Sequence, residues 1–221
     1  MADFLPAVNK TLAFEGGYSD DPNDAGGATN FGVTLKVLQG FGEDVDFNHD
    51  GVVNAEDVKI MSRDSAIAIY KELYWRGDDI VSQAIAEKHF DIGVNMGVGS
   101  AAKLLQKAVV QSGRNINVDG NIGPKSLELI NSIDEVELMT GLCEVQESYY
   151  WSIVQSNIEK KAASVYKWPT TYIANSLYAV SCKNVDLCKN IVASLRGLRL
   201  PLGNISFISG WTRRARDRFG I

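Results

Sequence analysis

Histidine is nearly absent from this chain of 221 residues: only His49 and His89 occur, and neither belongs to an HExxH or comparable cluster. Neutral imidazole is the usual ligand of a catalytic zinc, so metal-dependent peptidase chemistry is not expected. Cysteine is scarce too. Three residues, an odd number, do not make a disulfide framework, and the chain is expected to fold in a reducing compartment; Cys182 and Cys188 are close enough in sequence to pair, but nothing requires it. No stretch approaches the length of a membrane span, and the opening MADFLPAVNKTLAFEGG lacks a basic segment followed by a continuous apolar core. Neither a membrane helix nor a secretory signal is expected. With a net charge of −5 there is no general basic footprint either, which argues against a nucleic-acid partner.

Strand-like alternation is also rare. Apolar residues make up 45% and charged residues 22%, ordinary for a globular protein, and a chain of this length buries roughly 70% of its unfolded surface. Phe4, Leu5, Val8 and Leu12 follow helical spacing and predict a first helix ending near Glu15. Further helices are expected at about 33 to 41, 55 to 61, 64 to 75 with Asp64 as N-cap, 82 to 96, 99 to 112, 125 to 131 and 134 to 163. Residues 16 to 32, rich in Gly, Asp, Asn and Pro, read as an ordered loop or short hairpin. The expected class is all-α with at most one small hairpin.

Charge is unevenly spread. From Ile191 onward, Arg196, Arg199, Arg213, Arg214, Arg216 and Arg218 face the single acid Asp217, an excess of five positive charges. The ordinary reading is a solvated terminal helix; the functional one is contact with an anionic envelope surface.

The stretch EGGYSDDPNDAGGATNFGVT poses a chemical question. Two glycines end the first helix, leaving Glu15 in its last turn, where the negative end of the macrodipole opposes an anion. At 100° per residue Glu15 projects between Phe4 and Val8 and continues the apolar stripe, so burial opposes ionisation as well. A carboxyl kept protonated near neutral pH can donate to a glycosidic oxygen, and Asp20, Asp21 and Asp24 offer a second carboxylate to stabilise positive charge or position water. The competing reading is a buried brace that hydrogen-bonds loop amides. Tyr18, Phe31, Tyr74, Trp75 and Asn95 are candidates for the wall of a sugar cleft; each, taken alone, is more readily a core residue.

A second constellation is DFNHDGVVNAED at 46 to 57. Asp46, Asn48 and Asp50 stand at positions 1, 3 and 5, Gly51 allows the sharp turn at 6, and the Val52 carbonyl is available at 7, the spacing of an EF-hand calcium loop. The last position carries Asp57 in place of the usual Glu, as in dockerin-like loops. Closely spaced carboxylates repel without a cation, and hard oxygens favour calcium, so a structural Ca2+ that pins the chain beside the cleft is expected.

These segments together resemble glycoside hydrolase family 108, lysozyme-like N-acetylmuramidases of phage endolysin type. EGGYSDDPNDAGGATNFGVT is similar to the family's N-terminal signature, ELYWRGDD at 72 to 79 to its YW segment, and FDIGVNMGVGSAAKLLQ at 90 to 106 to its FD, N, G and LQ block. VDGNIGPKSLELIN at 118 to 131 resembles the turn of the peptidoglycan-binding segment that follows, and SGWTRR at 209 to 214 its close. The resemblance implies a lysozyme-like fold and makes Glu15 the catalytic acid. It implies a catalytic region over 1–98, a peptidoglycan-binding-like helical region over 99–165, and a helical remainder over 166–221 whose segment 166 to 205 matches nothing. In phage-type lysozymes the acid is followed nine positions later by an aspartate and then a threonine; Glu15, Asp24 and Thr29 approximate that order, which favours Asp24 as second carboxylate, and Thr29 and the neighbouring Asn30 are further substrate-binding candidates.

The expected activity is hydrolysis of the β-1,4 bond between N-acetylmuramic acid and N-acetylglucosamine by a monomer acting on peptidoglycan. A wall hydrolase made in the host cytoplasm without a signal would be released through a holin or a dedicated export route. Two alternatives are a lytic transglycosylase and a non-catalytic, calcium-dependent wall-binding module; against the latter, only one calcium loop is present.

Overall fold

A computed structural model describes residues 1–13, 16–20 and 27–166 of the chain. Glu15, Asp21, Asp24 and the arginine-rich terminus lie outside the described residues, as does all of the third expected region but residue 166.

Eight helices and one two-stranded hairpin make up the described elements: α1 Phe4–Leu12, β1 Thr29–Asn30, β2 Val33–Thr34, α2 Leu35–Gln39, α3 Ala55–Ile60, α4 Arg63–Tyr74, α5 Gln83–Met96, α6 Val98–Gln111, α7 Pro124–Ser132 and α8 Glu135–Tyr166. A 3-10 turn over Gly42–Val45, not foreseen from the sequence, joins α2 to the acidic loop. The expected all-α class with a small hairpin is what is observed. Two compact units are present, Met1–Leu138 and one that begins at Met139. No helix among the described residues is long and apolar enough to cross a membrane.

Capping explains most boundaries. Asp3, Thr34, Asn54, Ser62 and Ser82 each sit in extended backbone and accept an N–H from the first turn of the helix they precede. Ser62, not Asp64, caps α4: its Oγ accepts from Ser65 N at 3.0 Å, so the helix starts at Arg63 and Asp64 becomes an acidic first-turn residue. Pro124 opens α7, where its missing N–H goes unused.

Helix α5 is the axis of the first unit. Every side chain from Ile85 to Phe90, with Ile92 and Gly93, is buried, including Glu87, Lys88 and His89. Helix α6 packs along it, contributing Ala101, Leu104, Leu105, Ala108 and Val109. Helix α1 lies on another flank, burying Phe4, Ala7, Val8, Thr11 and Leu12; Leu5, which helical spacing placed in the stripe, is 52% exposed. Between α1, α4 and α5 sits a linked aromatic cluster, with ring centroids 5.4 Å apart for Phe4 and Trp75, 5.6 Å for Phe4 and Phe90, 6.0 Å for Trp75 and Phe90, and 5.7 Å for Tyr70 and Tyr74. Such tilted pairs add about 0.5–1.5 kcal/mol each beyond area burial. The Trp75 ring lies over Gly77, where a β-carbon would come within 2.6 Å of it.

Candidate active site

Helix α1 carries the chain to Ala13, its C-cap, two residues before Glu15. The helical phase that the sequence extends to Glu15 is thus observed only as far as Leu12. A polar ladder fixes the direction of α1 against α5. Asp3 N donates to Gln83 Oε1 at 2.7 Å, Gln83 Nε2 donates to Asp3 O at 2.8 Å and Glu87 Oε1 at 2.9 Å, and Lys10 pairs with the other oxygen of Glu87. The start of α1 meets the start of α5, and its end meets a point one turn further along, so the two run parallel. Glu87 is only 5% exposed and its carboxylate is fully used. The next residue, the buried Lys88, stands 3.8 Å from Asp91, about one turn further along α5.

Beyond Glu15 the chain returns at Ser19, which exchanges both backbone hydrogen bonds with Thr29, at 2.8 Å and 2.7 Å. The segment 20–28, which contains Asp20, Asp21 and Asp24, therefore begins and ends at one place, on the first strand of the hairpin. The hairpin is short because its register pairs Asn30 with Val33 and leaves only Phe31 and Gly32 at the tip. Two neighbours hold it. Asn30 Nδ2 donates to Val58 O at 2.9 Å on α3, and Tyr70 Oη on α4 donates to Phe31 O at 3.2 Å.

The sequence-derived substrate candidates separate on this frame. Tyr18 and Asn95 are exposed, and Thr29, Phe31 and Tyr74 are half-buried, all available to a ligand. Tyr18 Oη lies 3.4 Å from Asp20 Oδ2, and partial desolvation with the Asp20 charge raises the phenol above its ordinary pKa. Asn95 Nδ2 returns to its own helix at Asp91 O, 2.6 Å away. Two candidates lie in the interior instead. Trp75 is 4% exposed within the aromatic cluster, its Nε1 donating to Asp78 Oδ1 at 2.7 Å, and Asn30 is 5% exposed with its amide spent on α3. Trp75 therefore packs the core and Asn30 braces the hairpin. An aromatic or amide in a sequence carries no mark of which side it faces.

In the 46–57 loop the acidic side chains turn inward onto backbone amides. Asp46 accepts from Gly51 N at 2.8 Å and Asp50 N at 3.2 Å; Asn48 Oδ1 accepts from Asp50 N at 2.9 Å, and Asp50 Oδ1 from Val52 N at 2.9 Å. Gly51, at φ 85°, makes the turn expected of position 6. Asp57 is wholly buried: Oδ1 accepts from Phe47 N at 2.8 Å and Asn48 N at 3.2 Å, while Oδ2 accepts from Asn54 N at 2.9 Å and closes a capping box at the head of α3. Burial would raise its pKa, but the amides of Asn54, Asn48 and Phe47 outweigh it and hold the carboxyl below its usual range. The donor set of Asp46, Asn48, Asp50 and the Val52 carbonyl suits a hard cation in chemistry. Asp57 differs, since both its oxygens already serve backbone N–H groups. No group of three or more His, Cys, Asp or Glu side chains poised around a common metal position occurs among the described residues.

A third network was not foreseen from the sequence. Gln106, 1% exposed on α6, donates to Asp119 Oδ1 at 2.8 Å and Asn121 O at 3.0 Å, and accepts from Gly120 N at 2.8 Å. One side chain thus shapes the DGN turn. The Gln106 hydrogen bond, followed by that of Asn121 N, lowers the Asp119 pKa. Gly120 (φ 86°) fits where a β-carbon would press on Lys103 and on Gly99 O.

Comparison with known proteins gives this frame a family. A glycosyl hydrolase 108 model matches residues 8–97, and a predicted peptidoglycan domain model matches residues 100–216. The chain is similar to a solved structure described as the structure of Brucella abortus SagA, at 26% identity and a TM-score of 0.55, covering 83% of this chain and 97% of that one. No curated protein matches. The fold is lysozyme-like and mainly helical, and the activity that goes with it is glycoside hydrolysis acting on peptidoglycan. With its second half matched over more than half the total length and its first half matched from α1 through α5, the chain belongs to the predicted peptidoglycan domain family and carries a glycosyl hydrolase 108 region in front of it.

Proposed function

We propose that this peptidoglycan hydrolase cleaves the β-1,4 bond between N-acetylmuramic acid and N-acetylglucosamine, with Glu15 as general acid and Asp24 as the second carboxylate. The observation that supports this most is that the glycosyl hydrolase match begins within α1 and runs through the two acids and the hairpin. In the sequence Glu15 comes two residues after Ala13, the C-cap of α1. As the bond from muramic acid C1 to the bridging oxygen breaks, Glu15 transfers its proton to that oxygen, which leaves as the 4-hydroxyl of N-acetylglucosamine. Asp24, as the ionised second carboxylate, offsets the positive charge at C1 until water adds there. Tyr18, Thr29, Phe31, Tyr74 and Asn95 are the side chains proposed to meet the glycan.

The same reading includes a structural calcium ion held by Asp46, Asn48, Asp50 and the Val52 carbonyl, with Asp57 completing the loop. The ion would neutralise the loop's carboxylates. Support comes from what the loop leads to: it caps α3, and α3 presents Val58 O to Asn30 of the hairpin. Calorimetry with Ca2+ should show binding at millimolar ion or below, with a rise in the unfolding midpoint; absence of both removes the ion. For an enzyme of endolysin type, release through a holin and contact of Arg213, Arg214, Arg216 and Arg218 with the anionic envelope belong to the proposal too.

The test is digestion of purified sacculi by wild type and Glu15→Gln, with mass spectrometry of the products. Reducing muramic ends from wild type and none from the variant are expected. Equal digestion by the two rejects Glu15, reducing N-acetylglucosamine ends reject the bond, and 1,6-anhydro products move the enzyme to the lytic transglycosylases.

A further inference from the structure

The hairpin tip holds a residue of the wrong type for its backbone. Phe31 has φ 50° and Gly32 has φ 76°, and the register leaves these two alone between the strands. Two-residue loops with both φ values positive are type I′ turns, in which Asn, Asp or Gly is favoured because a β-carbon crowds the following carbonyl. A bulky aromatic there is an outlier that persists only where its surroundings over-determine it.

Those surroundings are on hand. Tyr70 Oη donates to the Phe31 carbonyl at 3.2 Å, and Asn30 fastens the strand before it to α3. Tyr70 is itself 3% exposed and stacked against Tyr74 and Phe90, so its hydroxyl is a fixed donor. Burial does not account for the choice of phenylalanine. Its side chain is only half-buried and, among the described residues, enters no aromatic pair, whereas Phe4, Tyr70, Tyr74, Trp75 and Phe90 are joined in one cluster. Strained residues of this kind gather at ligand sites, where the strain maintains a presentation that relaxed backbone would lose.

We infer that Phe31 is a ligand-contacting ring displayed by the hairpin tip for the apolar face of an N-acetylated pyranose, and that Tyr70 is a positioning residue that acts through the Phe31 carbonyl. The inference rests on the reading of the chain as a murein glycosidase and adds to it the device that holds one wall of the cleft.

Phe31→Asn puts a residue suited to the turn in its place, so the variant folds and its unfolding midpoint stays level or rises. Binding of soluble, uncross-linked murein glycan strands is measured by calorimetry in the Glu15→Gln background, and turnover is measured without that change. Phe31→Asn should weaken binding and raise KM about tenfold, the order carried by loss of one aromatic stacking surface, with kcat little changed. Tyr70→Phe keeps the ring and should raise KM about threefold, the order of one hydrogen bond. The double variant should match Phe31→Asn alone, because Tyr70 acts through residue 31. A lower midpoint with unchanged KM and binding would make Phe31 a packing residue and overturn the inference while leaving the glycosidase intact. Additive effects in the double variant overturn the role of Tyr70. If binding shifts as expected but neither wild type nor any variant hydrolyses murein, the glycosidase reading fails and Phe31 stands as a murein-contacting ring outside any catalytic cleft; if wild type neither binds nor digests, both fail.

Discussion

Acidification should weaken this protein through one histidine. His89 is 2% exposed on α5, neither ring nitrogen has a hydrogen-bond partner among the described residues, and burial, with a smaller contribution from the Arg76 charge, lowers its pKa from 6.5 to about 4. The folded protein therefore binds fewer protons here than the unfolded chain does. Stability is complete above the unfolded value, falls as pH drops below 6.5, and stops falling near 4, where both states are protonated. The difference of 2.5 units converts to about 3 kcal/mol, a large part of the roughly 5–15 kcal/mol that holds a domain together. Other depressed groups do not blur the window, since Asp57 and Asp119 have ordinary values of 3.8 and lose their contribution only below that pH. The assay is urea unfolding followed by tryptophan fluorescence, which Trp75 in the core should report, at half-unit steps from pH 7.5 to 4.5. Wild type should lose stability at up to about 1.4 kcal/mol per pH unit within the window. His89→Leu, which removes two polar nitrogens from a buried position, should equal or exceed wild type at pH 7 and lack most of that slope. Parallel curves for the two proteins would refute the assignment of the acid sensitivity to His89.

Three further outcomes follow from packing and hydrogen bonds. Gly77→Ala forces a β-carbon into the Trp75 ring and Ala86 and should destabilise by about 1–3 kcal/mol, seen as a lower urea midpoint with unchanged slope. Asp57→Ala leaves three backbone N–H groups without their acceptor and removes one half of the capping box while Asn54 still caps α3, and should cost about 2–3 kcal/mol, with Asp57→Asn milder because its amide oxygen still accepts; an Asp57→Ala midpoint equal to wild type would show the loop does not rely on this carboxylate. Gln106→Ala leaves Gly120 N without its acceptor and removes one of the donors to Asn121 O, which Gly123 N still serves, and should destabilise by about 1–3 kcal/mol, with hydrogen-exchange protection lost first at the DGN turn.

What the sequence made legible was local. The 46–57 turn and the head of α3 follow from spacing within a dozen residues, and the helices from apolar periodicity. Ser62 displaced Asp64 as a cap because either residue can serve and only the register of α4 decides between them. The polar run Glu87, Lys88 and His89 does not look like core in sequence, yet it is buried because α5 is covered on several sides. Trp75 and Asn30 were read as cleft residues because residue type suits either face. The clamp from Tyr70 to Phe31 spans 39 positions and joins two elements, so no local pattern announces it.

One junction constrains how such a protein can change over time. The two family matches meet between residues 97 and 100, but in space that seam is the single residue Gly97 (φ 83°), with α5 on one side and α6 laid back along it on the other. Inheritance has a module boundary there; the interior does not. Exchanging the second module between enzymes would replace α6, which packs along α5 and sets Val98 and Ala101 beside Gly93, and so would expose part of the interior on each product. A swap at this seam keeps the interior closed only when a matching α6 travels with α5.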